Sequence, residues 1–189
     1  MVNFLIEKNN LVDIVFNQAS SVYLVDREKV RCLVQQIKSY LAVSRFDVSL
    51  TITNDVEIKK LNETYRNKDR ATDVLSFPQV EWEAPVLSQN NDSRLLVKKK
   101  EEGFQQLTIG DIVISLDSVE KNATTLRHGL DREFCFLVIH GLLHLCGHDH
   151  QEEEEQEIMF NEQTIILDLL SQEKDSPLWS KCVVKTGEK

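Results

Sequence analysis

A chain of 189 residues, 41 % of them hydrophobic, can build one sizeable core and is short for two domains. Its formal net charge of −9 argues against a protein that coats nucleic acid nonspecifically, because holding phosphates needs a local positive field. No stretch approaches the roughly 20 apolar residues of a membrane span, and the N-terminus lacks the basic start and apolar run of a secretion signal.

Two short apolar runs open the chain, Phe4 to Ile6 and Leu11 to Phe16, the second alternating weakly as a strand does. Asp26 is placed to cap a helix with Val30, Leu33, Val34, Ile37 and Leu41 on one face. Val48, Leu50 and Ile52 alternate with Ser49 and Thr51, a half-buried strand. Asn54 with Glu57 three residues on resembles a capping box, and Ile58, Leu61 and Tyr65 give the helix that follows its apolar stripe. Residues 73–77 read as a strand ended by Pro78. Residues 81–106 are polar and carry the triplet Lys98-Lys99-Lys100, a long loop or a loop with an extra hairpin turn.

A core strand is expected from Leu107 to Ser115, then a helix to about His128, then a helix capped by Asp131. The last helix spans about Glu152 to Leu170, with Ile158, Ile165, Ile166 and Leu169 turned inward. Glu152, Glu153, Glu154, Glu155 and Glu157 hold much of the acidic excess at its start, where they suit the helix dipole and form a solvated face. Residues 172–189 contain Pro177 and are expected to be irregular. Strands and helices neither alternate strictly nor repeat, so a single α+β domain over residues 1–171 is expected. Cys32, Cys135, Cys146 and Cys182 form no paired motif, which suits reduced thiols in a cytoplasm.

The chain has five histidines, and four of them fall in residues 140–150, His-Gly-Leu-Leu-His-Leu-Cys-Gly-His-Asp-His. On a helix, residues four apart are separated by about 400° of rotation, so His140 and His144 sit one turn apart on one face. Gly147 can end that helix in a left-handed cap and let the chain fold back, bringing His150 to the same point. Three neutral imidazoles leave the fourth position of a tetrahedral zinc ion to water or substrate, as catalytic sites do and structural sites do not. The alternative, a helix with histidines buried and hydrogen-bonded in a core, has no need of Gly147 and His150. Other divalent metals also suit imidazole, so spacing alone does not choose zinc. Cys146 lies about 200° around the helix from His144 and reads as a packed thiol.

In zinc peptidases of the His-Glu-x-x-His pattern, the Glu beside the first histidine is the general base. Here that position is Gly141, so the cage is kept while the expected base is missing, and peptide hydrolysis becomes doubtful. A phosphodiester instead needs positive groups for its developing charge. Tyr65-Arg66-Asn67-Lys68-Asp69-Arg70 offers them, and an Arg can hold a phosphate in a two-pronged hydrogen bond. Cations at a helix C-terminus that merely favour its dipole are the plainer alternative.

The 140–150 motif resembles the signature of the YbeY family of bacterial endoribonucleases, the ribosomal RNA maturation factors. Tyr65 to Asp69 with Thr72-Asp73-Val74-Leu75-Ser76-Phe77 resembles the family's second block, and Gly110-Asp111-Ile112-Val113-Ile114-Ser115 its third. The likeness runs through roughly residues 45–170. It implies a zincin-like domain, a small mixed sheet of about four strands packed around a central metal-binding helix with several further helices. It also implies one zinc ion held by His140, His144 and His150, and Arg66 in the catalytic cleft; Lys68, in the same cation-rich segment, is a further candidate substrate contact. The substrate so implied is single-stranded RNA, cut in ribosomal RNA maturation and ribosome quality control, with the ribosome or its proteins as further partners and no membrane.

His148 lies beside the cage and reads either as a proton donor or as a surface imidazole at a helix end. Asp149 can orient a ligand histidine or cap the turn, Asp73 and Asp111 can be turn or cap residues, and His128 reads as solvated or structural. Two rival functions share the cage: a zinc metallopeptidase, and a non-enzymatic ribosome-associated factor that uses zinc only for folding.

Overall fold

Asp26 accepts from the Lys29 N–H and starts α1 (Arg27–Tyr40), which buries Val30, Leu33, Val34 and Ile37 as its pattern requires. The computed structural model describes residues 12–16, 22–88, 108–172 and 177–186. Within them β1 (Val12–Phe16) and β2 (Tyr23–Val25) precede α1, and β3 (Asp47–Thr53), α2 (Asp55–Arg66) and β4 (Val74–Pro78) follow it. The second half comprises β5 (Thr108–Ser115), α3 (Leu116–Leu126), α4 (Leu130–Leu145), α5 (Glu153–Ser171) and β6 (Val183–Lys185). Phe4 to Ile6 and Lys98 to Lys100 lie outside the described residues. Among the described residues no helix is long and apolar enough to cross a membrane.

The fold is α+β, and the described residues form five helices around a four-stranded mixed sheet of order β1-β3-β5-β4. β3 runs parallel to β1 and β5, while β4 pairs antiparallel with β5 and forms an edge. Strand alternation gives the β4–β5 part of the sheet two different faces. Leu75 and Val113 pack with Ile58 of α2 on one side, whereas Ile112 and Ile114 join the main core, to which α4 contributes Phe134, Leu137, Val138, Leu142 and Leu145. A helix apolar nearly all round is a buried helix, and α4 is the central one. Gly141 lets it lie close on the sheet, since a Cβ there would come 2.8 Å from Cγ2 of Ile112.

Three expectations need correction. Gly129, not Asp131, is the N-cap of α4; the Asp131 carboxylate instead accepts from the N–H groups of Arg132 and Lys181, tying the C-terminal segment to the helix. Ile158 of α5 is 47 % exposed, and the buried face runs through Met159, Glu162, Gln163, Ile166 and Leu170. Two polar residues displace the apolar face because each finds a partner inside: Glu162 accepts from Ser88 N–H, and Gln163 Nε2 donates to Phe136 O at 3.0 Å. The stretch after Ser171 is not irregular throughout, because β6 pairs antiparallel with β2 and Trp179, Cys182 and Val183 are buried. A three-residue strand is too short to show a period. Residues 81–88 form a loop as expected, and within it Trp82 and Val86 are buried.

Candidate metal centre

α4 ends at its C-cap Cys146, and Gly147 turns the chain with φ +86°. A side chain at 147 would also meet Trp82, whose Cδ1 lies 3.0 Å from an added Cβ. The turn folds residues 148–150 back, and His140, His144 and His150 converge, with one ligand atom from each within 4.8 Å of the others. Their ring centroids are 4.7, 5.5 and 5.1 Å apart, and the Nε2 atoms of His140 and His144 are separated by 3.1 Å. Ligands about 2.0–2.1 Å from one tetrahedral ion are spaced by about 3.3 Å, so this pair is at coordination distance.

The far side of each ring explains why Nε2 faces the centre. His144 Nδ1 donates to His148 O at 3.0 Å, and His140 Nδ1 faces Gln163 Oε1 at 3.4 Å. Because Gln163 Nε2 is spent on Phe136 O, its oxygen is the atom left to accept from His140. Two Nε2 lone pairs thus confront each other. Burial holds both rings in the neutral form, pushing the His144 imidazole down to about 4 with the help of neighbouring His140, and His140 below its usual range. Paired neutral nitrogens without a proton between them fit a bound cation. His150 is exposed and closes the trio from the solvent side.

Cys146 is fully buried and its thiol is pushed up to about 12 by burial, so it is a packed thiol and no ligand. The surface reading of His148 is overturned: it is 4 % exposed, and its Nε2 donates to Val86 O at 2.7 Å. Three bonds join residues 82–86 to the end of α4, with Trp82 Nε1 donating to Leu145 O at 2.7 Å and Val86 N–H to Cys146 O at 3.0 Å beside the His148 contact. His148 in turn presents its carbonyl to His144. Asp149 caps the turn, accepting from His150 N–H at 2.8 Å and Gln151 Nε2 at 3.0 Å. Asp73 accepts from Val74 N–H and Asn122, Asp111 from Gln79, and His128 lies 2.7 Å from Glu133 Oε2, all structural contacts.

Arg66 is the last residue of α2 and is exposed. Its Nη2 donates to Ser76 O on the β4 edge at 3.4 Å, and Ser76 Oγ donates to Gly141 O at 3.4 Å, next to His140. Arg66 is therefore two contacts from the cage. Lys68 is exposed on the turn that follows, which begins with Asn67 at φ 54° and is held by buried Asn62, whose Nδ2 donates to Arg70 O at 2.8 Å. Lys59 pairs with Asp69 at 2.9 Å, which neutralises the acid within this turn.

Sequence reasoning missed Trp82, Val86, Asn62 and Gln163. The one signal for any of them is an indole within a polar stretch, since Trp is rarely left to solvent without cause.

The profile of the family described as Endoribonuclease YbeY matches residues 14–171. A relative named Endoribonuclease YbeY from Limosilactobacillus reuteri is 42 % identical over 142 residues, 75 % of this chain and 85 % of its own. Another of that name from Listeria innocua is 34 % identical over 175 residues, 92 % of this chain and 97 % of its own. In fold, the chain is similar to the solution structure of TM1509 from Thermotoga maritima, with a TM-score of 0.55 and 23 % identity over 90 % of this chain and 91 % of that one. With the three-histidine cage and both accompanying blocks inside the matched span, the chain belongs to the Endoribonuclease YbeY family.

Proposed function

We propose that this chain is a zinc-dependent endoribonuclease that cuts single-stranded RNA during ribosomal RNA maturation, in the cytoplasm and in contact with the ribosome. The observation that carries this is the histidine cage joined to Arg66 through Ser76 and Gly141, with no carboxylate where a peptidase keeps its base. Ile112 fills the space a side chain at 141 would need, so the missing glutamate is built into the packing of α4 on β5. His140, His144 and His150 would hold the ion, which when bound would supply Lewis-acid chemistry at this point.

The remaining steps belong to side chains. Arg66, anchored at one nitrogen among the described residues, presents the rest of its fork to pair with the scissile phosphate and to stabilise charge as it grows. Lys68 adds a positive field at the mouth. His148, buried and engaged with Val86, serves as an anchor of the third-ligand turn and not as a proton donor. The nucleophile is either water or the RNA's own 2′-hydroxyl, and a substrate with 2′-deoxy sugars separates the two.

Zinc-loaded protein incubated with defined single-stranded and duplex RNAs tests the proposal. Cleavage of the single strands alone, abolished by a chelator and restored by zinc, is the expected result. Casein digestion without RNA cleavage would establish a peptidase in its place.

A further inference from the structure

Arg66 and the histidines address phosphate chemistry, and neither reads a base. Tyr65, the residue before Arg66, is 65 % exposed although its ring has an aromatic partner. Phe77 meets it at a steep angle, with centroids 5.2 Å apart and planes inclined by 67°. Such a contact fixes the ring's position and leaves much of it to solvent. Tyr65 and Arg66 thus reach consecutive residues of β4, one the Phe77 ring and the other the Ser76 carbonyl.

Charge favours the same turn. Exposed Glu152, Glu153, Glu154, Glu155 and Glu157 follow directly on His150 and repel a polyanion. Exposed Arg66, Lys68 and Arg70 attract one. A strand of RNA that reaches Arg66 is therefore drawn over the C-terminal turn of α2, which also carries Tyr65.

We infer that Tyr65 is a stacking platform for an unpaired base of the RNA, flanking the nucleotide whose phosphate Arg66 holds. The inference rests on the RNA reading above and names what selects single strands. In a duplex both faces of a base are covered by its neighbours, so only an unpaired base can lie on the ring. Every base has a π face, so the platform reads strandedness and not sequence. Because Phe77 already orients the ring, little freedom is lost on binding.

The test uses the full metal-loaded chain as wild type, Tyr65→Ala, Tyr65→Leu and Tyr65→Trp, with a single-stranded oligoribonucleotide for cleavage and its 2′-O-methyl analogue for binding. Ala and Leu are expected to raise Kd and KM about 5- to 100-fold, with kcat moved less, and Trp to restore both. Leu keeps an apolar contact with Phe77, so a loss shared by Leu and Ala is not a folding defect. An abasic residue stepped along the strand is expected to cost wild type a similar factor at one position and to cost Tyr65→Leu nothing further there. Unchanged Kd in Ala and Leu, or an abasic penalty equal in wild type and Leu, overturns the platform. If wild type binds RNA through Tyr65 and cuts none, the cleavage proposal fails and the platform stands; cleavage with a Tyr65-independent KM does the reverse.

Discussion

The end of α4 and the end of α2 supply the two halves of the site by opposite means. At α4 the rings of His140 and His144 are half-buried, their Nδ1 atoms are engaged, and residues 82–86 clamp the turn behind them. At α2 the side chains of Tyr65, Arg66, Lys68 and Arg70 are exposed, and Arg66 touches the fold through one long hydrogen bond. A metal cage must be set before its ion arrives, because a misplaced ring loses a ligand outright. A group that meets a flexible polyanion has to stay accessible and gains its partners only when the substrate comes.

If the halves are separable, variants should divide cleanly between metal and substrate effects. The largest loss is expected from His144→Ala, which should bind no stoichiometric zinc by elemental analysis and cut no RNA. Arg66→Glu comes next: cleavage should fall by about 10²–10³ while zinc content stays at wild type, because one charge-stabilising donor becomes a repelling carboxylate. Full activity in that variant would remove the role given to Arg66. The smallest of the three is Gln163→Leu, which leaves His140 Nδ1 without its acceptor. A competition assay with a chromogenic chelator should show zinc affinity weakened about 10- to 100-fold, and unchanged affinity would mean that Gln163 does not orient the ring.

The histidine spacing was legible because the helix itself enforces it, and Asp26 and Asn54 were legible as caps because each bonds a backbone N–H three residues on. The same pattern logic misplaced the start of α4, where Gly129 took the cap and Asp131 was drawn off to Lys181. It also misjudged α5, because burying Glu162 and Gln163 depends on partners in residue 88 and in α4 that no local period announces. His148 shows the limit most clearly. Nothing in its neighbours tells a surface ring from a buried one, and the outcome rests on Val86, sixty-two residues away in the chain.

By itself, then, the sequence determined what is governed by distances within a turn or two: the caps of α1 and α2, the two-ligand helix, the glycine turn, and the cation-rich end of α2. Only the tertiary structure decided how those pieces meet. Ile112 explains why residue 141 carries no side chain, and Ser76 brings Arg66 to the cage. Gln163 and the carbonyl of His148 turn the ligand nitrogens inward. The physical reason is that backbone geometry repeats over three or four residues and can be counted along the chain, whereas a buried hydrogen bond is satisfied by whatever the packed fold sets beside it.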